Sequence, residues 1–126
     1  MRAICFIQEA QNSDLTLQQQ VLLCRRALRK LRWPCVEELY AQAGTEDCPL
    51  SMRPGISDLQ RAAAAHEADV LLVVDAGHLH CNRPELEELL STLLQHGIHT
   101  FGAKSGFWIE PGGRHWMTLP GYGIKS

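Results

Sequence analysis

The stretch Asp69-Val-Leu-Leu-Val-Val-Asp75 places five consecutive branched apolar residues between two aspartates. Nothing in it alternates, so neither face of a strand built from it can be left to water. An unbroken run of this length fits a central strand of a parallel sheet, covered by helices on both sides. Parallel strands need crossover connections, normally helices. The rest of the chain must therefore supply both helices and neighbouring strands.

It does. Arg2 to Ile7 is a short apolar run with β-branched and aromatic residues, and reads as a buried first strand. Leu17, Val21, Cys24, Leu28 and Leu31 then recur at helical spacing. Asn12, Ser13 and Asp14 are the expected N-caps of that helix, and Pro34 is its stop. Cys35 to Tyr40 predicts a second, more exposed strand. Gly44 to Gly55 reads as a polar loop, and Ile56 to His66 as a short alanine-rich helix. After the central run, Pro84 opens a helix that turns Leu86, Leu89, Leu90, Leu93 and Leu94 inward and ends at Gly97. Ile98 to Ala103 predicts a fourth strand. Phe107 to Leu119 reads as a β-hairpin around Pro111-Gly112-Gly113.

The order β-α-β-α-β-α-β predicts a three-layer α/β fold with a mostly parallel four-stranded sheet, followed by a C-terminal hairpin. With 126 residues the chain fits one domain. The expected division is a sheet domain over residues 1–104 and a hairpin or tail over 105–126, packed on the same domain. Five cysteines, an odd count without a CxxC pair, predict reduced thiols and a cytoplasmic location. No leader-like or membrane-spanning apolar stretch is expected. A net charge of −2 gives no global attraction to nucleic acid.

In open α/β sheets ligands bind beyond the carboxyl ends of the strands. That singles out three loops: 8–14, 41–55 and 75–83. None carries a phosphate loop, a dinucleotide-binding glycine pattern or a GxSxG elbow. Ser13 reads as a cap before it reads as a nucleophile. Asp75, His78, His80 and Cys81 are all zinc-capable ligands within seven residues, so this loop is a candidate metal site. Against it, the spacing matches no standard motif, and Cys81 also reads as a small packing residue. Arg25, Arg26, Arg29 and Lys30 on the first helix read first as a solvated face and second as a phosphate contact.

Five segments taken in order resemble the N-terminal catalytic domain of serine recombinases, the resolvases and DNA invertases. They are MRAICFI, LTLQQQVLLCRRAL, SMRPGISDLQRA, ADVLLVVDAGHL and PELEELLSTLLQHGIHTF, with a polar loop after the first. In that family the first strand ends in Tyr-x-Arg-x-Ser, and a Ser/Thr-Leu-x-x-Gln helix start follows. Later come an Arg-Pro/Lys-Gly segment, an Asp-Val-Leu-Leu-Val strand, an Asp-Arg-Leu-x-Arg loop and a leucine-rich helix. The resemblance covers about residues 1–103.

The resemblance implies a resolvase-like fold and a site where a serine attacks a DNA phosphate while arginines hold its charge. Carried over residue by residue, the nucleophile position is Ala10 and the first arginine position is Gln8. The later loop reads Gly77-His78-Leu79-His80-Cys81 where the family has its aspartate and two arginines. Only Arg53 stands where a family arginine belongs. Ser13, Arg53 and Arg83 are left as candidate phosphate-binding residues, and no cofactor is implied. The expected function is thus a serine-recombinase-like domain without strand-transfer activity: a binding or regulatory module, or a remnant carried by a mobile element. The alternatives are a metal protein using Asp75, His78, His80 and Cys81, and a modulator of an active recombinase in trans. Expected partners are DNA or another recombinase-like protein, with self-association of this chain also open.

Overall fold

A computed structural model describes residues 1–111. Strand β1 (Ala3–Gln8) lies inside the sheet, buried at all six positions. On one side β1 pairs parallel with β2 (Cys35–Ala41). On the other it pairs parallel with β3 (Val70–Val73), which in turn pairs with β4 (His99–Gly102). A short β5 (Trp108–Ile109) closes the sheet antiparallel to β4, giving the order β2-β1-β3-β4-β5. The three-layer α/β expectation holds, with five strands among the described residues.

Side chains alternate along each strand, and the two sets face different layers. Ala3, Cys5, Ile7, Val70 and Leu72 meet helix α1 (Leu17–Leu31) through Cys24, Ala27 and Leu28. Ile4, Phe6, Leu71 and Val73 meet α2 (Ile56–Ala64) and α3 (Arg83–Gln95) through Leu59, Ala63, Leu90 and Leu93. The unbroken apolar run is explained: β3 has a helix layer on each face. At roughly 1.5–3 kcal/mol for each fully buried aliphatic side chain, these two layers are the main source of stability.

The α1 stripe forms as its spacing predicts, but its cap does not. Thr16, not Asn12, Ser13 or Asp14, is the N-cap. Thr16 Oγ1 accepts from Gln19 N–H at 3.1 Å, and Gln19 Oε1 accepts from Thr16 N–H at 2.8 Å. This reciprocal box satisfies two donors at once, which a lone upstream side chain cannot do. Ser13 Oγ instead accepts from Leu15 N–H at 3.2 Å within the loop. In α3, Asn82 caps, Pro84 lies in the first turn, and Leu94 turns outward rather than inward.

Strand β5 is the described part of the first limb of the expected hairpin. The antiparallel partner of β5 is β4, and the turn between them spans 103–107, closed by Gly102 N–H donating to Phe107 O at 2.9 Å. The Phe101, Trp108 and Trp33 rings pack edge-on or tilted at 5.2–5.9 Å and hold β5 down. The second limb expected at 114–119 lies outside the described residues.

Gly55, just before α2, has φ +89°. A Cβ there would stand 3.2 Å from Leu39 Cβ and 3.3 Å from a Phe6 ring carbon. Only glycine combines that backbone with that approach. It lets residues 53–55 turn tightly over the end of β1, where the candidate site lies.

Candidate functional site

The chain moves outward from β1 to β2, then crosses to β3 on the other side. The order therefore reverses between β1 and β3, and the crevice for a ligand falls at their carboxyl ends. Gln8 ends β1 there, and the three loops picked out from sequence converge on it.

Gln8 and Arg53 are both almost wholly buried, at 1% and 3% exposure. The Gln8 amide nitrogen donates to Glu9 O and to Thr45 Oγ1, each at 3.0 Å. Its oxygen accepts from Arg53 Nη1 at 3.2 Å. Arg53 Nη1 also donates to Leu79 O, Nη2 donates to Glu46 O at 2.9 Å and His80 O at 2.7 Å, and Nε donates to Cys48 O at 3.0 Å. A guanidinium has five N–H donors, and these five bonds use them all. The cation is solvated by neutral protein oxygens from three loops. It is a staple, with no donor left for a phosphate.

Gln8 makes this arrangement possible. A second arginine at that position would bring two buried guanidinium groups together and offer no acceptor. The neutral amide accepts from Arg53 on one side and donates to the loop on the other.

Ala10 follows on the crest of the β1–α1 loop, half-buried, with a methyl group and no nucleophilic atom. Carboxylates border the same crest. Glu46 accepts from Gln11 N–H at 3.1 Å and from Gly44 N–H, and Glu9 accepts from Ala43 N–H at 3.2 Å. Backbone N–H donors hold the Glu46 carboxyl below the usual range, so it stays anionic. A phosphate approaching here meets negative charge.

Of the four metal candidates, Asp75 and His78 come together and His80 and Cys81 do not join them. Asp75 Oδ1 lies 2.6 Å from His78 Nδ1 and accepts from His78 N–H at 2.8 Å. His78 Nε2 lies 2.8 Å from Asp14 Oδ1, and Lys104 Nζ lies 3.8 Å from Asp14 Oδ2. Both ring nitrogens of His78 thus face carboxylates. His80 has a left-handed backbone with its carbonyl committed to Arg53, and its ring meets the His78 ring edge-on at a centroid distance of 6.3 Å without sharing its carboxylates. Cys81 packs against the α2–α3 core, where burial raises its thiol pKa. Among the described residues no three His, Cys, Asp or Glu side chains are placed to hold an ion. The cluster is a tie between the β1–α1, β3–α3 and β4–β5 loops. Asp14 was missed in the sequence because it lies 64 residues from His78.

The phosphate candidates are not assembled either. Ser13 Oγ is used within its own turn, Arg53 is consumed, and Arg83 is exposed on the first turn of α3, 3.6 Å from Glu87. Among the described residues no helix is long and apolar enough to cross a membrane.

No protein-family model matches the chain, and no curated protein matches it. Solved structures do. The N-terminal catalytic domain of TP901-1 integrase superposes with a TM-score of 0.75 at 10% identity, over 86% of this chain and 81% of that one. A resolvase family site-specific recombinase from Streptococcus pneumoniae gives 0.70 at 10% identity, over 86% and 75%. The C-terminal catalytic domain of ISC1926 TnpA, an IS607-like serine recombinase, gives 0.64 at 18% identity, over 82% and 70%. The fold of this chain is that of serine-recombinase catalytic domains.

Proposed function

We propose that this chain is a serine-recombinase-like domain that performs no strand transfer and serves as a binding or regulatory module. The observation that carries the reading is Arg53. The one arginine that matches the family pattern spends all five donors on Gln8 and four backbone carbonyls. Phosphoryl transfer needs a nucleophile and free positive charge at the phosphate. Ala10 supplies no nucleophile, and Glu9 and Glu46 border the place where that phosphate would lie.

The test incubates the chain with plasmid DNA and with fragmented genomic DNA, then separates the products under denaturing conditions. The expected result is no nicking and no protein-linked strand. Ala10→Ser is expected to remain inert, because a hydroxyl alone restores none of the missing charge. A DNA strand attached through phosphoserine, in either protein, would overturn the reading.

A further inference from the structure

Helices α2 and α3 end side by side, at the pole of the sheet opposite Gln8 and Arg53, just before β3 and β4 begin. A histidine stands at each end. The rings of His66 and His96 face each other edge to face, with centroids 6.4 Å apart. His66 is exposed and His96 half-buried. The other described histidines are placed differently. His78 and His99 lie against carboxylates. His80 meets His78 at a similar distance, but both nitrogens of the His78 ring already face Asp14 and Asp75.

The two helix ends are built alike. In α2, Glu67 N–H donates to Ala62 O at 3.0 Å and His66 N–H to Ala63 O at 3.1 Å. In α3, Ile98 N–H donates to Leu93 O and Gly97 N–H to Leu94 O, both at 2.9 Å. Each pair of bonds closes its helix over one residue with left-handed backbone. In α3 that residue is Gly97, at φ +77°; in α2 it is His66, at φ +55°. A residue with a Cβ is less stable there than glycine. The arrangement sets one imidazole on the end of α2, beside His96, which is the C-cap of α3.

Neutral imidazoles are ligands suited to Zn²⁺, Ni²⁺ and Cu²⁺. Zinc–nitrogen bonds of about 2.0–2.1 Å put the centroids of two imidazoles on one tetrahedral ion roughly 5 Å apart. A small rotation of the two side chains, one of them exposed, brings the observed pair to that separation. Helix C-termini carry partial negative charge, so a cation between two of them is favoured.

We propose that His66 and His96 together bind one divalent transition-metal ion of the zinc class, which ties the end of α2 to the end of α3. Water completes the coordination, since among the described residues no third His, Cys, Asp or Glu is placed to join them.

The test titrates tag-free protein with zinc chloride, followed by calorimetry, by thermal melts and by the imidazole nitrogen signals in NMR. Zn²⁺ is expected to shift the ring signals of His66 and His96. It is also expected to raise the melting temperature, because it binds the folded arrangement, and EDTA should reverse both effects. His66→Asn and His96→Gln are each expected to weaken binding at least about tenfold, because one imidazole alone has lost the chelate. His66→Gly separates ligation from folding. Without metal it should melt no lower than wild type, since glycine suits the left-handed position, yet it should lose the rise with Zn²⁺. Ring signals of His66 and His96 that stay unchanged through the titration would overturn the proposal. So would zinc binding of undiminished affinity in both His66→Asn and His96→Gln, which would place the ion elsewhere, as at the exposed thiols of Cys35 and Cys48.

Discussion

Arg53 Nη1 donates to Gln8 Oε1 at 3.2 Å beneath the loops at the carboxyl end of the sheet. Both residues are polar and both are buried, and each is held by the other and by backbone groups. Truncating Arg53 would strand four carbonyls and the Gln8 oxygen. Arg53→Ala is therefore expected to destabilise the fold by about 3–5 kcal/mol, within the range for a broken buried charge network. Arg53→Lys keeps the charge but cannot reach five acceptors, and is expected to lose at least about 2 kcal/mol. Urea unfolding followed by circular dichroism measures both. A midpoint unchanged in either variant would refute the staple.

Stability is expected to fall in acid for an identifiable reason. The His78 hydrogen bond holds the Asp14 carboxyl below the usual range, and Arg25 and Arg2 do the same for Glu38 and Asp69. A carboxylate whose pKa is lowered on folding contributes stability above its unfolded pKa and loses it as pH falls through the folded value. The curve should be flat through neutral pH and decline below about pH 4. Asp14→Asn should remove part of that acid slope while leaving the groups at Glu38 and Asp69 unaffected. Thermal melts of both proteins from pH 7 to pH 2 check this, and identical slopes would contradict it.

Gly55→Ala combines two penalties. The left-handed backbone costs a non-glycine residue about 1–2 kcal/mol, and the new methyl must push against Leu39 and Phe6. A total loss of about 2–4 kcal/mol is expected from denaturant unfolding. Gly44 has positive φ and open space, so Gly44→Ala should cost only the backbone part.

Thiol labelling should sort the cysteines by position. Cys5 and Cys24 are fully buried between β1 and α1, and the Cys24 contact, followed by burial, pushes the Cys5 thiol far up. Neither is expected to react with iodoacetamide in the native protein. Cys48 and Cys35 are exposed, and burial raises the Cys35 thiol pKa, so Cys48 should react first. Peptide mapping after a short pulse reads the order directly. Modification of Cys5 before Cys48 would show that the β1–α1 layer opens.

The sequence by itself determined the strands, the helices and the sheet class. Hydrophobic periodicity is a local property, and runs such as Val70–Val74 admit only one kind of environment. It also determined that residue 10 carries no nucleophile, since an alanine is an alanine in any fold. Tertiary structure decided what the remaining polar residues do. Asp75, His78, His80 and Cys81 are close in sequence, yet two of them meet Asp14 and Lys104 while the others serve Arg53 and the core. The cap moved from Asn12–Asp14 to Thr16 because its reciprocal partner, Gln19, lies one turn into the helix. Arg53 read from sequence as a retained anion site. Whether an arginine binds a ligand depends on how many of its donors the fold has already used, and those acceptors came from Gln8 and from carbonyls as far along the chain as His80. Backbone carbonyls carry no sequence signature, so only the assembled loops could reveal that this arginine was spent.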